Sequence, residues 1–564
     1  MKYLSTLAIL LATTSLASAA SNESFILQAG KKNSAVVGQI AGSNAQATIQ
    51  SGKGNSAVTA QKNTDGDTNK SATFEFGNNN TSMAGQIGGN NGQTTVQVGN
   101  ANTAVTLQTN NSANQNASFT GQFGNGNSSL AGQVNGNNAQ TTLQFSTGNK
   151  NSGNAASTIQ QNGVNGGVND SNTLQVGTLN MAGATQNTAG ATSGKKPGEG
   201  GDNNQLSAQF GSGNMASTDQ TSNGSGNKAS AVSGVLNDAA TVQFGADNLA
   251  STTQKGSSKG DNSDQATNAS LTAQFGQVNA ATTKQVNGNN LQATVQAGVN
   301  NFASTTQTNA DSSNATNASL TAQFGQDNTA TTKQVNGNNL QAALQFGAGN
   351  TASTTQSNVS SSDTTNASLT AQFGQGNGSA VKQTNGNNLQ ATVQGGSGNV
   401  AKTTQNNADD SAGVNASLTA QFGDGNKSTA RQTNGNNLQG TLQVGDANVA
   451  KTTQKNVDGG TGVNASQTLQ VGDDNKATTK QSIANPLNSG LNGSLIAQIG
   501  NGNTAKAAQN DTGIQPMIGA NLQATVQVGN GNSAMTMQTA SVGVTNASVT
   551  AQFGSHNVAV VTQK

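Results

Sequence analysis

The sequence predicts an all-β fold: a repeat β-solenoid with two strands per rung (strand, turn, strand) and about 21 stacked rungs. Three observations carry this expectation. The spacing N-x5-Q-x-G-x2-N-x-A-x3-Q recurs 21 times between Asn22 and Gln563, and self-similarity at a short period along a whole chain marks a repeat architecture. Each copy holds two segments of period-two alternation, as in NASLTAQ (268–274) and NAATTKQ (279–285) joined by FGQV, which reads as strand, turn, strand. A Gly two places after the first Gln, followed by Asn, supplies the turn with positive φ. That Gly is present in every copy except the sixth, where Ser146 stands in its place and five extra residues precede Asn154.

The elements follow in chain order. Met1 to Ala20 has a basic start, an apolar stretch from Leu7 to Ala12 and a small-residue end. It reads as a secretory signal peptide (1–19) cut after Ala19, because the apolar stretch is far short of the roughly 20 residues a membrane span needs. Repeats then occupy 22–563. In the third copy Glu75 takes the place of the first Gln. From about 145 to 267 the copies are more widely spaced, with the insert SGKKPGEGGD (193–202), and this stretch is read as the same coil with longer loops. From Gln274 to Gln470 the step alternates between 22 and 27 residues, through short loops such as VNGN (286–289) and longer ones such as TNADSSNAT (308–316). Pro197, Pro486 and Pro516 all fall between units, as they must if no strand can spare an N–H. At about 4.8 Å per rung, 21 rungs predict a body roughly 100 Å long.

Composition excludes several classes. Only 8% of the 564 residues are charged and 3% aromatic, with 71 Gly, unlike an enzyme with a bulky apolar core. Beyond Lys2, 23 basic and 23 acidic side chains balance, so nothing favours nucleic acid or an anionic membrane, and no later segment is apolar enough to span a bilayer. Cysteine is absent; stability must come without disulfides. His556 is the only histidine and sits in a turn, so no nucleophilic triad, cofactor or metal site is proposed and the chain is read as a non-enzyme. Asp409-Asp410 and Asp473-Asp474 are read as turn residues, and Asp65-Gly66-Asp67 lacks the rest of a calcium loop. Lys195 and Lys196 are too few for a nucleic-acid patch.

Charge parity predicts which face is inside. Counting from its Asn, the second segment carries Asp219, Lys284, Lys333, Lys382, Lys402, Lys427, Arg431, Lys451, Lys476, Lys480 and Lys506 at odd offsets. Burying an unpaired charge is costly, so the even face with the motif residues points inward. The first segment divides the argument. Its odd face is the more apolar, as at Leu271, Ala273 and Phe275 or Leu291, Ala293 and Val295, and hydrophobicity alone would bury it. Its even face alternates Ser270, Gln292, Ser319, Gln341, Ser368, Gln390, Ser417 and Gln439, a small-and-large order that suggests contact between rungs. Identical amides stacked along an axis can bond to one another, so the expectation favours motif residues inward on both segments. The structural ladder then comprises Asn268, Gln274, Gly276, Asn279, Ala281 and Gln285; Asn317, Gln323, Gly325, Asn328, Ala330 and Gln334; and Asn366, Gln372, Gly374, Asn377 and Gln383. An outward apolar stripe and strand edges at either end, with no obvious capping element before Asn22 or after Gln563, predict self-association.

The spacing resembles the curlin repeat, S-x5-Q-x-G-x2-N-x-A-x3-Q, with Asn in place of the leading Ser, as at Asn317, Gln323, Gly325, Asn328, Ala330 and Gln334. The resemblance covers essentially all of 22–563. It implies a curli-like secreted subunit of functional amyloid, a pilus-like or fimbrial surface fibre of a Gram-negative bacterium that serves cell adhesion and biofilm matrix. It also implies partners: copies of itself, a nucleator subunit and an outer-membrane export channel. Three departures stand out. Familiar curli subunits have about five repeats; a targeting segment precedes the first of them, whereas Asn22 here follows the signal peptide directly; and their first-strand apolar residues share the parity of the motif Gln, opposite to this chain. The alternatives are a monomeric solenoid that binds ice or carbohydrate through outward Ser304, Thr306, Ser353 and Thr355, a face that lysines interrupt, and a non-fibrous surface adhesin.

Overall fold

A computed structural model describes residues 22–63, 67–111, 114–163, 167–188, 201–225, 236–259, 267–309, 315–358, 364–407, 413–457, 461–484, 490–512, 519–541 and 543–564. The signal-peptide segment, the three prolines, Asp65, Gly66, Lys195, Lys196, Asp409 and Asp410 lie outside the described residues. Among the described residues the fold is all-β, with 42 strands from β1 (Asn22–Lys31) to β42 (Val558–Gln563). The chain divides into two compact units, 1–291 and 292–564.

Within the first unit each odd-numbered strand pairs in parallel with the next odd one, and each even strand with the next even one. Thus β1 pairs with β3 (Ser43–Lys53), with Gln28 opposite Gln50, and β2 (Ser34–Ile40) pairs with β4 (Ser56–Lys62), with Gln39 opposite Gln61. The second unit is built alike. There β23 (Thr316–Gln326) pairs with β25 (Asn338–Ala348), and β24 (Thr329–Val335) with β26 (Thr351–Ser357), with Gln323 opposite Gln345 and Gln334 opposite Gln356. Consecutive strands therefore belong to different sheets, and a side chain at one motif position meets the same position one rung away. Through the widely spaced stretch the register holds, with Gln175 opposite Gln209 and Gln209 opposite Gln243.

The first strand is longer than the seven-residue segment that the alternation predicts. In most rungs it runs 11 residues, through the motif Gly and one residue further, as in β23; the second strand in most rungs keeps seven, as in β24. The Gly explains the difference. Gly325 has φ 121, and a Cβ placed on it would lie 2.0 Å from the Gly347 carbonyl oxygen of the next rung. The glycine thus serves a close approach of stacked backbones, and the turn itself lies beyond it, at left-handed residues such as Asp327 (φ 54) just before Asn328. In the sixth copy β11 (Asn137–Phe145) stops short of Ser146, β12 begins at Ala155, and Asn154 stays buried.

The other turn distinguishes the two step lengths. Most 22-residue steps use Asn-Gly with both residues at positive φ, as at Asn336 (φ 50) and Gly337 (φ 65), while the first uses Ala41-Gly42 and the step from Glu75 uses Gly88-Gly89; Asn and Gly adopt these dihedrals most readily. Such a pair ordinarily signals an antiparallel hairpin. Here it carries the chain from one sheet to the other, since β24 and β25 each pair with a strand of another rung.

Candidate functional site

The interior is narrow and mostly polar. Inward positions hold Asn, Gln, Ser and Thr, and the buried apolar side chains are chiefly alanines, such as Ala281, Ala330 and Ala352. The apolar row of the first strand lies outside: Leu271 is 45% and Phe275 42% exposed. Hydrophobicity alone points the other way, and the hydrogen bonds show why it loses. The motif amides have their bonding capacity met only when stacked, and orphaning a buried amide costs about 1–3 kcal/mol. Every charged residue of the second segment in the odd-offset series, from Asp219 to Lys506, is exposed.

Gln323 shows the arrangement. Its Nε2 donates to the carbonyl of Phe302 (3.0 Å) and to Gln345 Oε1 (2.8 Å), while its Oε1 accepts from Gln296 Nε2 (2.8 Å). Gln372 repeats this with Thr351 O (3.0 Å), Gln394 (2.8 Å) and Gln345 (2.8 Å). Gln274 accepts from Gln243 (2.8 Å) and donates to the carbonyls of Leu249 and Asn279. In the second strand Gln285 accepts from Gln254 (2.8 Å) and donates to Ala269 O (2.8 Å). Gln334 donates to Gln356 and Gln356 to Gln383, at 2.9 and 2.8 Å. Each Gln thereby ties rung to rung through one N–H and sheet to sheet through the other.

The asparagines form ladders of opposite polarity. Asn339 Nδ2 donates to Asn317 Oδ1 (2.7 Å) and Asn366 Nδ2 to Asn339 Oδ1 (3.1 Å). At the turn, Asn328 Nδ2 donates to Asn301 Oδ1 (3.0 Å) and to the Gly347 carbonyl (2.9 Å). Asn377 does the same to Asn350 Oδ1 (3.1 Å) and Gly396 O (2.9 Å), and Asn279 to Asn248 Oδ1 (3.1 Å). In the amide-to-amide bonds, glutamine donors thus point toward higher residue numbers and asparagine donors toward lower ones. Asn268 takes part through Asn237 Oδ1 (2.9 Å) and Asn290 Nδ2 (2.7 Å). Of the remaining ladder residues, Ala281 and Ala330 are buried between the amide rows, Gln383 donates to Gln405 (2.8 Å), and Gly276, Gly325 and Gly374 are half-buried at the stacked-glycine seat.

The Ser/Gln alternation is a hydrogen-bonded pair, a feature sequence order suggested only as packing. Ser319 Oγ donates to Gln341 Oε1, Ser368 to Gln390 and Ser417 to Gln439, at 2.8, 2.8 and 2.6 Å. The glutamine then donates within its own strand, as Gln390 does to Thr392 Oγ1 and Gln439 to Thr441 Oγ1. Rungs are therefore joined two by two at this position.

One seat breaks the pattern. Glu75, in β5 (Thr68–Asn78), is fully buried between Gln50 and Gln97. Gln50 Nε2 donates to its Oε2 (2.7 Å), while Glu75 Oε1 and Gln97 Oε1 have no partner. Burial pushes this carboxyl up to about 8 against the smaller opposing effect of the Gln50 bond.

Outside, phenylalanines stack along the stripe. Phe324, Phe346 and Phe373 lie 4.9 and 5.4 Å apart, with rings nearly parallel. His556 is exposed in a turn at φ 58, and Asp473 and Asp474 are exposed. Among the described residues no cluster of three or more His, Cys, Asp or Glu could hold a metal ion, and no helix is long and apolar enough to cross a membrane. No protein-family model and no curated protein matches the chain.

Proposed function

We propose that the chain is a secreted structural subunit that polymerises into curli-like amyloid surface fibres for adhesion and biofilm matrix. The observation that carries this reading is the uniform polarity of the amide ladders. In the first rung Gln28 and Gln39 donate onward to Gln50 (2.5 Å) and Gln61 (2.8 Å), leaving their Oε1 facing the other way. In the last rung Gln552 and Gln563 each accept at 2.7 Å from Gln527 and Gln538, so the same pattern continued would have them donate onward. The asparagines run the other way, with Asn44 donating to Asn22 and Asn546 to Asn521. Glutamine acceptors and asparagine donors in the first rung therefore complement glutamine donors and asparagine acceptors in the last, which fits a second copy stacked head to tail, and parallel strand edges extend in the same way. In that last rung Val558 is 76% and Phe553 71% exposed. The outward Leu and Phe stripe suits sideways pairing of such fibres. A nucleator subunit and an export channel are the further partners this reading calls for.

Purified mature chain should polymerise into dye-binding fibres with a meridional reflection at about 4.7–4.8 Å. Protein that stays monomeric and dye-negative at high concentration would sink the proposal.

A further inference from the structure

We propose that Glu75 is a proton-operated break in the first-strand glutamine ladder: the ladder is continuous while Glu75 carries a proton and is interrupted at this rung when the proton leaves. The geometry supplies the reason. Within each unit the ladder otherwise has an Nε2–H of one residue meeting the Oε1 of the next, as from Gln97 to Gln122 at 2.8 Å and from Gln323 to Gln345 at 2.8 Å. At Glu75 the incoming half of the pattern is intact, since Gln50 donates to Oε2 at 2.7 Å. On the outgoing side two oxygens, Glu75 Oε1 and Gln97 Oε1, occupy register-paired positions and neither has a partner. Two acceptors cannot satisfy each other. A proton on Oε1 converts the pair into an O–H donor and an acceptor and closes the ladder.

Among the described residues no charged side chain packs against that carboxyl. The strands packed around Glu75 are β3 and β7 (Asn90–Asn100) in its own sheet and β4 and β6 (Thr81–Ile87) opposite. Their inward residues are amides, hydroxyls and small apolar groups, with no charge among them. The charged side chains on these elements, Lys53, Lys62 and Lys70, are exposed, and Asp67 precedes the strand at its turn. An ionised Glu75 would therefore have one amide donor and no cation, and burying such a charge is strongly disfavoured. Consistent with this, burial raises its carboxyl from 4.5 to about 8.

The linkage has a definite sign. The folded rung binds a proton that the unfolded chain releases above about pH 4.5, so stability at this rung is fully present below that value, falls as pH rises and levels off above about 8. This is opposite to a salt-bridged carboxylate.

The test is hydrogen exchange on the full chain from about pH 4 to pH 9, following peptides from β3, β5 and β7. Peptides from β25 and β27 (Thr365–Gln375) serve as internal controls for intrinsic exchange, because their seats hold Gln345 and Gln372. Relative to the controls, opening of the β5 region should increase by up to about tenfold per pH unit between the two values, on the order of a thousandfold in all. Glu75→Gln, which restores a donor to Gln97, should abolish the dependence and match or exceed the low-pH stability of the parent. A parent with no pH dependence beyond the controls, or a Glu75→Gln variant that keeps it, overturns the proposal. Infrared spectra give a readout independent of the variant's folding: the parent should show a protonated-carboxyl carbonyl band at about pH 6 that fades toward pH 9, and its absence would also refute the assignment.

Discussion

Replacing Gln323 by Lys tests the interior assignment most directly. The glutamine is fully buried and uses its whole amide, accepting from Gln296 and donating to Phe302 O and Gln345. A lysine ammonium has three donors and no acceptor, so it can keep the two outgoing bonds but must orphan Gln296 Nε2 and bury a charge with no counterion. The less costly route is to give up the proton, since a neutral amine can accept from Gln296. From an ordinary pKa of about 10.4, neutralising a lysine at pH 7 costs about 5 kcal/mol, and that figure sets the scale of the damage. It also gives the variant a signature: the folded rung binds fewer protons than the unfolded chain, so the loss should ease by about 1.4 kcal/mol per unit as pH rises toward 10. Lys333→Gln, on the exposed face of β24, should stay within about 0.5 kcal/mol of the parent. Hydrogen exchange of β23 and β25, referenced to a distant strand such as β39 (Ala520–Val528), measures both, because in a solenoid the effect is carried mainly by neighbouring rungs. Equal effects for the two variants, or a Gln323→Lys defect indifferent to pH, would refute the inward placement of the motif amide.

Other perturbations separate the remaining features. Gly325→Ala drives a Cβ to 2.0 Å from the Gly347 carbonyl oxygen, whereas Gly349→Ala (φ +65) meets nothing closer than 3.9 Å. The first should cost about 3 kcal/mol or more, because backbone of the next rung has to move, and the second only the left-handed penalty of about 1–2 kcal/mol; exchange rates of β25 compare them. Phe346→Ser removes two outer stacking contacts, each worth about 0.5–1.5 kcal/mol. Light scattering of fibres should show weaker sideways association with little change in the spacing between rungs. For Glu75, the rise to about 8 corresponds to on the order of 5 kcal/mol, so alkaline solution should loosen the β5 rung before others.

Much of the architecture is legible in the residue order because the same physics is repeated in every copy. The parity of Lys284, Lys333 and Lys382 is enough to orient the second strand, since a charge reports its own solvent exposure. The first strand is less legible: Leu320 and Gln323 sit on opposite faces, and apolar area argues for one while amide bonding argues for the other. Only the contact between rungs decides it, and a single rung read alone does not contain that contact. The same limit applies at Gly325, which looks like an ordinary turn glycine until the next backbone is laid against it. Ser319 and Gln341 likewise look like a size alternation until the Oγ is found on the Oε1. Glu75 is visible as an exception to the motif, but its significance lies in two oxygens at register-paired positions, each left without a partner.

The coupling of Ser319 to Gln341 and of Ser368 to Gln390 means that the smallest self-consistent segment of the strictly alternating stretch, 317–443, is a doublet of about 49 residues, not one copy of the motif; where the alternation lapses, at Ser466 opposite Ser494, the Ser466 hydroxyl has no partner. Removing one copy would set serine against serine or glutamine against glutamine and leave a void or a clash at the seam. Removing two restores every contact. Growth or shrinkage of such a gene by recombination between copies is therefore filtered by parity: even changes in copy number are structurally silent, and odd ones leave a scar.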